Sequence, residues 1–373
     1  MKKLLSILLS CVFVLSLAAC GQEAAPAQVE ETETAARTVV DSFGREVTIP
    51  DQVNTIVCTG SGALRMIAYL QCTDRLAGVE DCDKAYETST LRDYAHVYFD
   101  TFQALPAIGK GGGTGNTAYV EELISLQPDV ILSGYNEEAL EELAQATGIP
   151  CVSIRAKSIN FIDDSFYTAM RVAAEVLGVQ DRCEEVLAYI DNCKADLAAR
   201  TADIPDEDKP AVYAGAVTFS GAHGFTGTYS NFGPFMAIGA NNVADEMNET
   251  GYFDADPEKI IAWDPDLIFL DPGNLDLVRD EYRTNPSFFT SLRAIQEGNI
   301  YACVSFNNYS TNVGYALADA YYAGTVMFPE QFGDVDIAEK TDDILEFLLG
   351  DRYYDEMAAD GLSFGVIDLE PAP

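Results

Sequence analysis

The chain has 373 residues, of which 48% are hydrophobic, so it can bury a large core and exceeds the usual size of one domain. Its 60 acidic and 22 basic residues give a formal net charge of -38 at pH 7. This charge argues against a nucleic acid partner and against adhesion to an anionic bilayer, because both are polyanions. We therefore expect a two-lobed protein with an acidic, well-solvated surface.

The first twenty residues predict an export signal. Two lysines precede an apolar run at residues 4–17, which is too short for a stable membrane-spanning helix. The run ends in Leu-Ala-Ala-Cys-Gly, which resembles the bacterial lipobox. The resemblance implies a lipoprotein signal peptide over residues 1–20, with Cys20 as the lipid-carrying N-terminus; an ordinary secretory signal is the alternative. Residues 21–37 are rich in Ala, Glu and Thr and predict a flexible tether.

Residues 38–179 predict the N-terminal lobe. Alternating residues around a turn at residues 39–49 indicate a β-hairpin. Strands are then predicted at residues 55–58, 75–79, 129–132 and 150–154, with helices at residues 63–70, 118–126, 137–146 and 163–177. Such alternation with short connections is typical of a parallel sheet that is covered on both faces.

A long amphipathic helix at residues 180–202 predicts the connection between two lobes. Apolar residues recur along it at spacings of three and four, and Asp181 with Glu184 has the spacing of a capping box. A helix-then-strand segment occurs on both sides of this helix in the same register. Glu121 and Glu258 are 137 residues apart, and so are two Pro-Asp pairs. One continuous helix resists bending, so we expect little closure of the lobes on binding.

Residues 203–373 predict the C-terminal lobe. Strands are expected at residues 211–219, 267–270 and 299–304, and helices at residues 231–238, 257–263, 313–326, 341–349 and 353–358. The predicted fold class is therefore α/β, with two lobes that each surround a mainly parallel sheet. One long helix joins them, and the ligand cleft lies between them.

Seven cysteines lie in the part that we expect to fold: Cys58, Cys72, Cys82, Cys151, Cys183, Cys193 and Cys303. Their number is odd, and the chain contains no C-x-x-C pair. Most lie within apolar stretches, so we predict buried free thiols, with a bridge between Cys72 and Cys82 as the alternative.

The hairpin sequence at residues 40–50, the duplicated segment and the linker helix together resemble the substrate-binding proteins of ABC importers of the ferric siderophore and cobalamin type. The run at residues 318–324 with Phe328-Pro329-Glu330 resembles the iron-complex branch of that family. The resemblance implies a lipid-anchored extracytoplasmic protein that delivers a ferric siderophore or similar metal chelate to ABC permease subunits, without catalysis or a cofactor. Cobalamin or haem is the alternative ligand.

Ligands of parallel α/β sheets bind beyond the carboxyl ends of the strands, and pockets favour domain interfaces, so we expect the ligand between the lobes. The family that this sequence resembles also binds its ligand there. Strand ends and the scarcity of cations in this chain together point to ten candidate ligand residues, which are polar, cationic or aromatic. They are Ser61, Lys84, Lys110, Tyr135, Arg155, His223, Phe225, Tyr229, Phe306 and Tyr309. The cations would bind an anionic chelate and the aromatics would offer flat apolar area, although ordinary core packing and surface roles remain open for each.

The resemblance gives the duplicated glutamates a second role, because one exposed glutamate on each lobe of the family docks into the permease. Glu121 and Glu258 occupy those places. Stabilisation of the helix N-terminus by a carboxylate is the alternative role for each.

Three competing classes are disfavoured. Metalloprotease, hydrolase-elbow and P-loop motifs are absent from the sequence, and the glycine-rich segment at residues 113–118 is a weak dinucleotide fingerprint. A bare zinc or manganese ion prefers several imidazoles, and the chain has only His96 and His223. A surface adhesin would explain the lipobox and the charge but not a two-lobed cleft.

Overall fold

The computed structural model describes residues 35–85, 89–156 and 162–370. The described chain from Ala35 onwards forms one compact unit. The predicted signal peptide, Cys20 and most of the predicted tether lie outside the described residues. Within the described ranges, no helix combines the length and the apolar character needed to cross a bilayer.

The N-terminal lobe starts with the predicted hairpin and continues as a four-stranded sheet. The hairpin strands are β1 (Ala36–Val40) and β2 (Glu46–Pro50), and the sheet strands are β3 (Ile56–Thr59), β4 (Leu76–Gly78), β5 (Val130–Ser133) and β6 (Cys151–Ser153). The sheet is parallel and has the order β4-β3-β5-β6. The helices are α1 (Ala63–Tyr69), α2 (Asp81–Lys84), α3 (Asp93–Val97), α4 (Phe99–Ala104), α5 (Val120–Leu126), α6 (Glu137–Thr147) and α7 (Asp164–Leu177).

The sheet of this lobe is buried on both faces, as its continuous apolar strands predict. In β5, Val130 and Leu132 belong to one core cluster, whereas Ile131 belongs to another. Because successive strand residues point to opposite faces, the two clusters cover opposite sides of the sheet.

The linker helix α8 (Gln180–Thr201) buries one apolar stripe that includes Val186, Ile190 and Leu197. The predicted capping box does not form. Val179 is the N-cap and makes no side-chain cap bond, while the Glu184 carboxylate pairs with Arg171 of α7 at 2.8 Å.

The C-terminal lobe contains a second parallel sheet and an antiparallel strand pair. The strands are β7 (Ala211–Gly215), β8 (Gly227–Tyr229), β9 (Asn241–Asn242), β10 (Tyr252–Asp254), β11 (Leu267–Leu270) and β12 (Ile300–Ala302). The parallel sheet has the order β12-β11-β7-β9, and β8 pairs with β10. The helices are α9 (Gly233–Ala237), α10 (Pro257–Trp263), α11 (Leu275–Thr284), α12 (Pro286–Phe289), α13 (Arg293–Glu297), α14 (Val313–Met327), α15 (Ile337–Leu349) and α16 (Tyr354–Ala359).

The two parallel sheets have the same topology. In each, the first strand in sequence lies between the second and the third, and the fourth lies beyond the third. This shared order confirms the two α/β lobes and extends the sequence repeat to the whole sheet.

The duplicated Pro-Asp pairs have a local structural role in both lobes. The Asp129 carboxylate accepts hydrogen bonds from the backbone N–H groups of Asn54 and Thr55, just before β3. The Asp266 carboxylate accepts one from Ala211 N–H at the start of β7. Each aspartate therefore satisfies backbone donors where the first strand of its lobe begins.

One hydrophobic core cluster runs through both lobes, from Val39 to Phe364. Arg182 of the linker helix donates to the carbonyls of Tyr69 in one lobe and Phe347 in the other. Tyr98 also donates across the lobes, to the Leu349 carbonyl. The lobes are thus packed and hydrogen-bonded together beyond their helical connection.

Several features of the C-terminal lobe differ from the prediction. Strand β7 stops at Gly215, because Ala216 adopts a left-handed φ of 55° that ends the extended conformation. Helix α9 begins two residues later than predicted, since Asn231 is also left-handed. Helix α11, with apolar positions on one side only, was not predicted.

The seven cysteines are free thiols; six are buried and Cys82 is half-buried.

Candidate ligand-binding cleft

A cleft of about 810 Å³ lies between the two lobes. Its N-terminal wall comes from loops that follow β3, β5 and β6 and from a glycine-rich loop; its C-terminal wall comes from loops that follow β7, β11 and β12. The lining residues are Ser61, Leu91, Gly112, Gly113, Thr114, Gly134, Arg155, Ala156, Thr218, Phe219, Ser220, Gly221, Ala222, Asn274, Asn307, Asn308, Tyr309 and Ser310. Its position beyond the carboxyl ends of the strands is the expected one.

Hydrogen bonds between loops hold the N-terminal wall together. Ser61 N–H donates to the Gly113 carbonyl at 3.3 Å, and Asn136 N–H donates to the Thr114 carbonyl at 2.7 Å. The glycine-rich loop that resembled a dinucleotide fingerprint is therefore a wall of this cleft, attached to the ends of β3 and β5.

A buried carboxylate lies behind this wall. Glu80 is 2% exposed and accepts hydrogen bonds from Gly60 N–H and from the Tyr135 hydroxyl. Burial, reinforced by the nearby Asp83 carboxylate, raises the pKa of Glu80 to about 7. Glu80 therefore gains or loses its proton near neutral pH. Its hydrogen-bond partner Gly60 immediately precedes Ser61, which lines the cleft.

The C-terminal wall contains strained backbone. Ser220, Tyr309 and Ser310 adopt left-handed φ values of 52°, 53° and 76° although none is glycine. Such a conformation costs an L-residue roughly 1–2 kcal/mol, so surrounding contacts must hold these loops in place.

The described lining of the cleft carries a positive charge and no negative one. Among the described residues that line it, none is acidic, and Arg155 is the one cation. Hydroxyls, side-chain amides and glycine-rich backbone supply the rest of its polar surface. In a chain with a net charge of -38, this lining favours an anionic ligand that carries several oxygens.

A much smaller cavity of about 20 Å³ adjoins the cleft and shares Thr218 and Asn307 with it. This volume holds roughly one water molecule. Asp271 lies on its wall and accepts hydrogen bonds from the Thr218 hydroxyl at 2.6 Å and from Gly273 N–H. Burial raises the pKa of Asp271 to about 6.

The structure brings three of the predicted ligand residues to the cleft: Ser61, Arg155 and Tyr309. Tyr229 and Phe306 line the small adjoining cavity instead and are almost fully buried.

The other five predicted ligand residues lie elsewhere. Tyr135 is buried behind the N-terminal wall, and Phe225 packs against Phe288 and Phe289 in the core. Lys84 donates to the Leu105 carbonyl, whereas Lys110 is exposed outside the described cleft lining.

His223 has both ring nitrogens engaged within the C-terminal lobe. Its Nε2 lies 2.7 Å from the Phe219 carbonyl oxygen and its Nδ1 lies 2.7 Å from the Tyr252 hydroxyl. The imidazole therefore supports the loop that carries Phe219 and has no ring nitrogen left for a ligand.

Amides were missing from the sequence-based list. Asn274 follows β11, and Asn308 is adjacent to Tyr309 in the loop after β12. Both follow strands of the C-terminal sheet, so the rule that ligands lie at strand ends is the signal that could have identified them.

A group of three possible metal ligands, Glu80, Cys82 and Asp83, lies behind the N-terminal wall. The Asp83 carboxylate already accepts from the Tyr94 hydroxyl at 2.6 Å and pairs with Arg92 at 3.4 Å. A neighbouring guanidinium disfavours a second cation, so this arrangement fits a hydrogen-bonded network better than a metal site.

The duplicated glutamates lie on exposed helix surfaces. Glu121 in α5 and Glu258 in α10 are both exposed, and neither carboxylate has an ion pair among the described residues. Three residues further along each helix lies an exposed isoleucine, Ile124 at 46% and Ile261 at 41%. Residues three apart share a helix face, so each lobe presents the same pair of a carboxylate and an apolar side chain.

Comparison with known proteins agrees with this geometry. The family model described as periplasmic binding protein matches residues 56–305. The molybdate-binding protein MolA of Haemophilus influenzae is 21% identical over 351 residues, which cover 87% of this chain and 93% of that protein. The Fe(3+)-citrate-binding protein YfmC of Bacillus subtilis is 23% identical over 193 residues, which cover 51% of this chain and 58% of that protein.

Solved structures show the same fold. A periplasmic solute binding protein from Veillonella parvula has a TM-score of 0.66 at 18% identity, with 88% of this chain and 97% of that chain covered. MolA bound to molybdate has a TM-score of 0.64 at 19% identity, with coverage of 85% and 99%.

Proposed function

We propose that this chain, which belongs to the periplasmic binding protein family, captures an anionic metal complex outside the cytoplasmic membrane and passes it to an ABC importer. Solute binding for ABC transport is the function of this family. The ligand, the docking residues and the membrane anchor are our proposals, and so is the absence of catalysis.

The composition of the cleft lining is the observation that carries the proposal. Acidic residues cover much of the protein, yet none is among the described residues that line the cleft, where Arg155 lies among hydroxyl, amide and backbone donors. An anion gains both charge attraction and hydrogen bonds in such a site, whereas a bare metal cation would find no carboxylate ligand on its described walls.

A ferric complex with small oxygen-rich chelators fits this cleft best. The cleft has a volume of about 810 Å³, which suits a chelate better than a single small ion. Only Phe219 and Tyr309 among the described lining residues are aromatic, so haem or cobalamin would find little flat apolar surface. The relative that binds ferric citrate supports this choice.

A tetrahedral oxyanion is the second candidate. The glycines at positions 112, 113 and 221 bring backbone to the cleft lining beside hydroxyls of both walls, and such groups can hydrogen-bond an oxyanion. The molybdate-binding relative covers nearly the whole chain and supports this alternative.

We propose that delivery uses the two exposed helix faces that carry Glu121 and Glu258. Their carboxylates would pair with cations of the permease subunits, and Ile124 and Ile261 would add apolar contact beside them. A lipid on Cys20 would keep the protein near that partner at the outer face of the cytoplasmic membrane. The variant Cys20→Ser should then be released from membranes in a cell fractionation experiment.

Isothermal titration calorimetry tests the ligand. The protein from residue 35 onwards should bind ferric citrate or a ferric hydroxamate with one site, and should bind haem and cobalamin far more weakly. Binding of molybdate or tungstate alone would instead select the oxyanion. If every compound in this panel failed to bind, the proposed ligand class would be wrong.

A further inference from the structure

The cleft wall around Tyr309 is held from the opposite lobe by a buried arginine. Arg65 belongs to α1 of the N-terminal lobe and is 1% exposed. Its guanidinium donates to three consecutive carbonyls of the C-terminal lobe, those of Asn308 at 2.8 Å, Tyr309 at 3.0 Å and Ser310 at 2.9 Å. All three of these residues line the cleft.

The Arg65 guanidinium is itself held in place by hydrogen bonds within the N-terminal lobe. Its Nε donates to the Asp93 carboxylate at 2.8 Å, and the other oxygen of Asp93 accepts from the Tyr69 hydroxyl at 2.9 Å. Burial disfavours the charged guanidinium, but the Asp93 carboxylate together with Tyr69 and Tyr94 outweighs this effect and raises the pKa of Arg65 above its ordinary value. The donor fork is therefore charged and has a fixed orientation.

The loop needs such support because its backbone is strained. Tyr309 and Ser310 are consecutive left-handed residues, in a turn closed by a β-bridge between Asn307 and Thr311. Two further contacts cross from the N-terminal lobe. The Arg92 guanidinium stacks on the Tyr309 ring at 3.4 Å. Gly62 packs so closely against Ser310 that a Cβ added at Gly62 would lie only 2.8 Å from the Cβ of Ser310.

We propose that Arg65 is a positioning residue for the ligand: it holds residues 308–310 as a preformed wall of the cleft. This inference rests on the proposed function, because it takes the cleft as the ligand site. The carbonyls of all three residues accept from one guanidinium, so the arginine fixes the backbone of this wall from the opposite lobe.

The informative variant is Arg65→Lys, which keeps a charge beside Asp93 but lacks the planar fork that reaches three carbonyls. The matched control is Arg182→Lys, because Arg182 also donates to carbonyls of both lobes and lies outside the described cleft lining. We expect Arg65→Lys to weaken binding of ferric citrate, or of whichever panel anion the wild type binds, by about tenfold, the effect of one lost charged hydrogen bond. Arg182→Lys should bind like the wild type even if it melts at a lower temperature.

Hydrogen exchange gives a readout that needs no ligand. Backbone amides of residues 305–312 should exchange faster in Arg65→Lys than in the wild type and in Arg182→Lys. If the wild type binds no anion of the panel, the proposed function fails and this exchange pattern alone decides whether Arg65 orders the wall. Unchanged exchange in this segment would overturn the inference, and so would equal affinities of the two lysine variants.

A double variant covers the case in which Arg65→Lys does not fold. Arg65→Met with Asp93→Leu replaces the whole buried pair by apolar side chains, a change that folded proteins often tolerate. It removes the same three carbonyl contacts. We expect the same faster exchange and the same loss of affinity, and wild-type values for both would contradict the inference.

Discussion

The two lobes have the same strand order but line the cleft with different residues. The N-terminal wall offers Arg155, a serine and a glycine-rich loop, whereas the C-terminal wall offers three asparagines and strained loops. The outer helices differ less: each carries an exposed glutamate and an exposed isoleucine at equivalent positions. The repeated surface suits a partner with two similar docking sites, and the asymmetric cleft suits a ligand that binds in one orientation.

The largest expected effect concerns the repeated surface. Reversing both charges with Glu121→Arg and Glu258→Arg should abolish uptake of labelled ligand by cells, because both would then face cations of the permease. Each single reversal should reduce uptake by a similar amount if the two lobes dock equivalently. Ligand affinity in calorimetry should stay unchanged, and Glu141→Arg, an exposed reversal on α6, serves as the control. Normal uptake by the double variant would refute the docking role.

The next effect concerns the asymmetry of the cleft. Arg155→Gln should lower the affinity for the anionic ligand by about a hundredfold, because it removes the one cation of the described lining. Lys110→Gln changes an exposed cation outside that lining and should leave affinity within a factor of about two. Equal losses in the two variants would indicate a general charge effect and not a directional site.

Each lobe also has a buried carboxylate beside its wall, Glu80 or Asp271, with a pKa raised to about 7 or about 6. A raised pKa means that the folded state binds a proton more readily than the unfolded chain. The stabilising contribution of such a group is therefore complete at low pH and is lost as pH rises towards its folded pKa.

Thermal unfolding between pH 4 and pH 8 can separate these two carboxylates. Glu80→Gln should remove a pH-dependent loss on the order of 3 kcal/mol that develops as pH rises from about 4.5 to about 7. Asp271→Asn should remove a loss of comparable size that develops at lower pH, from about 3.8 to about 6. The difference from wild type isolates each group from the general effect of the net charge. Parallel stability curves for variant and wild type would show that the carboxylate does not titrate in this range.

The smallest effect tests the shared scaffold. Asp129→Ala and Asp266→Ala each remove a carboxylate that accepts from backbone at the start of a first strand, so each should lower the free energy of unfolding by about 1 kcal/mol. Denaturant unfolding should give similar losses for both, and ligand affinity should not change. A large loss in one lobe alone would show that the repeat is not energetically equivalent.

Much of this architecture could be predicted from sequence because it depends on periodic patterns. The spacing of Cys183, Val186 and Ile190 predicts the linker helix, and the register of Glu121 with Glu258 predicts the repeat. The rule that ligands lie at strand ends pointed to Ser61 and Arg155, and both residues line the cleft.

Side-chain direction in the loops could not be predicted in the same way. The loop after β7 has no periodicity, so nothing in the sequence distinguishes Phe219, which lines the cleft, from Phe225, which packs in the core. Arg65 was missed for a different reason. It lies 244 residues from the Tyr309 carbonyl that it binds, and only the folded chain brings them together.

An iron-edge anomalous difference map of crystals grown with ferric citrate would show directly whether the cleft holds the metal complex. We expect one strong peak between Arg155 and the loop at residues 307–310, in lobes that superpose on the ligand-free arrangement. A peak outside this cleft, or lobes rotated substantially towards each other around the metal, would contradict a preformed anion site.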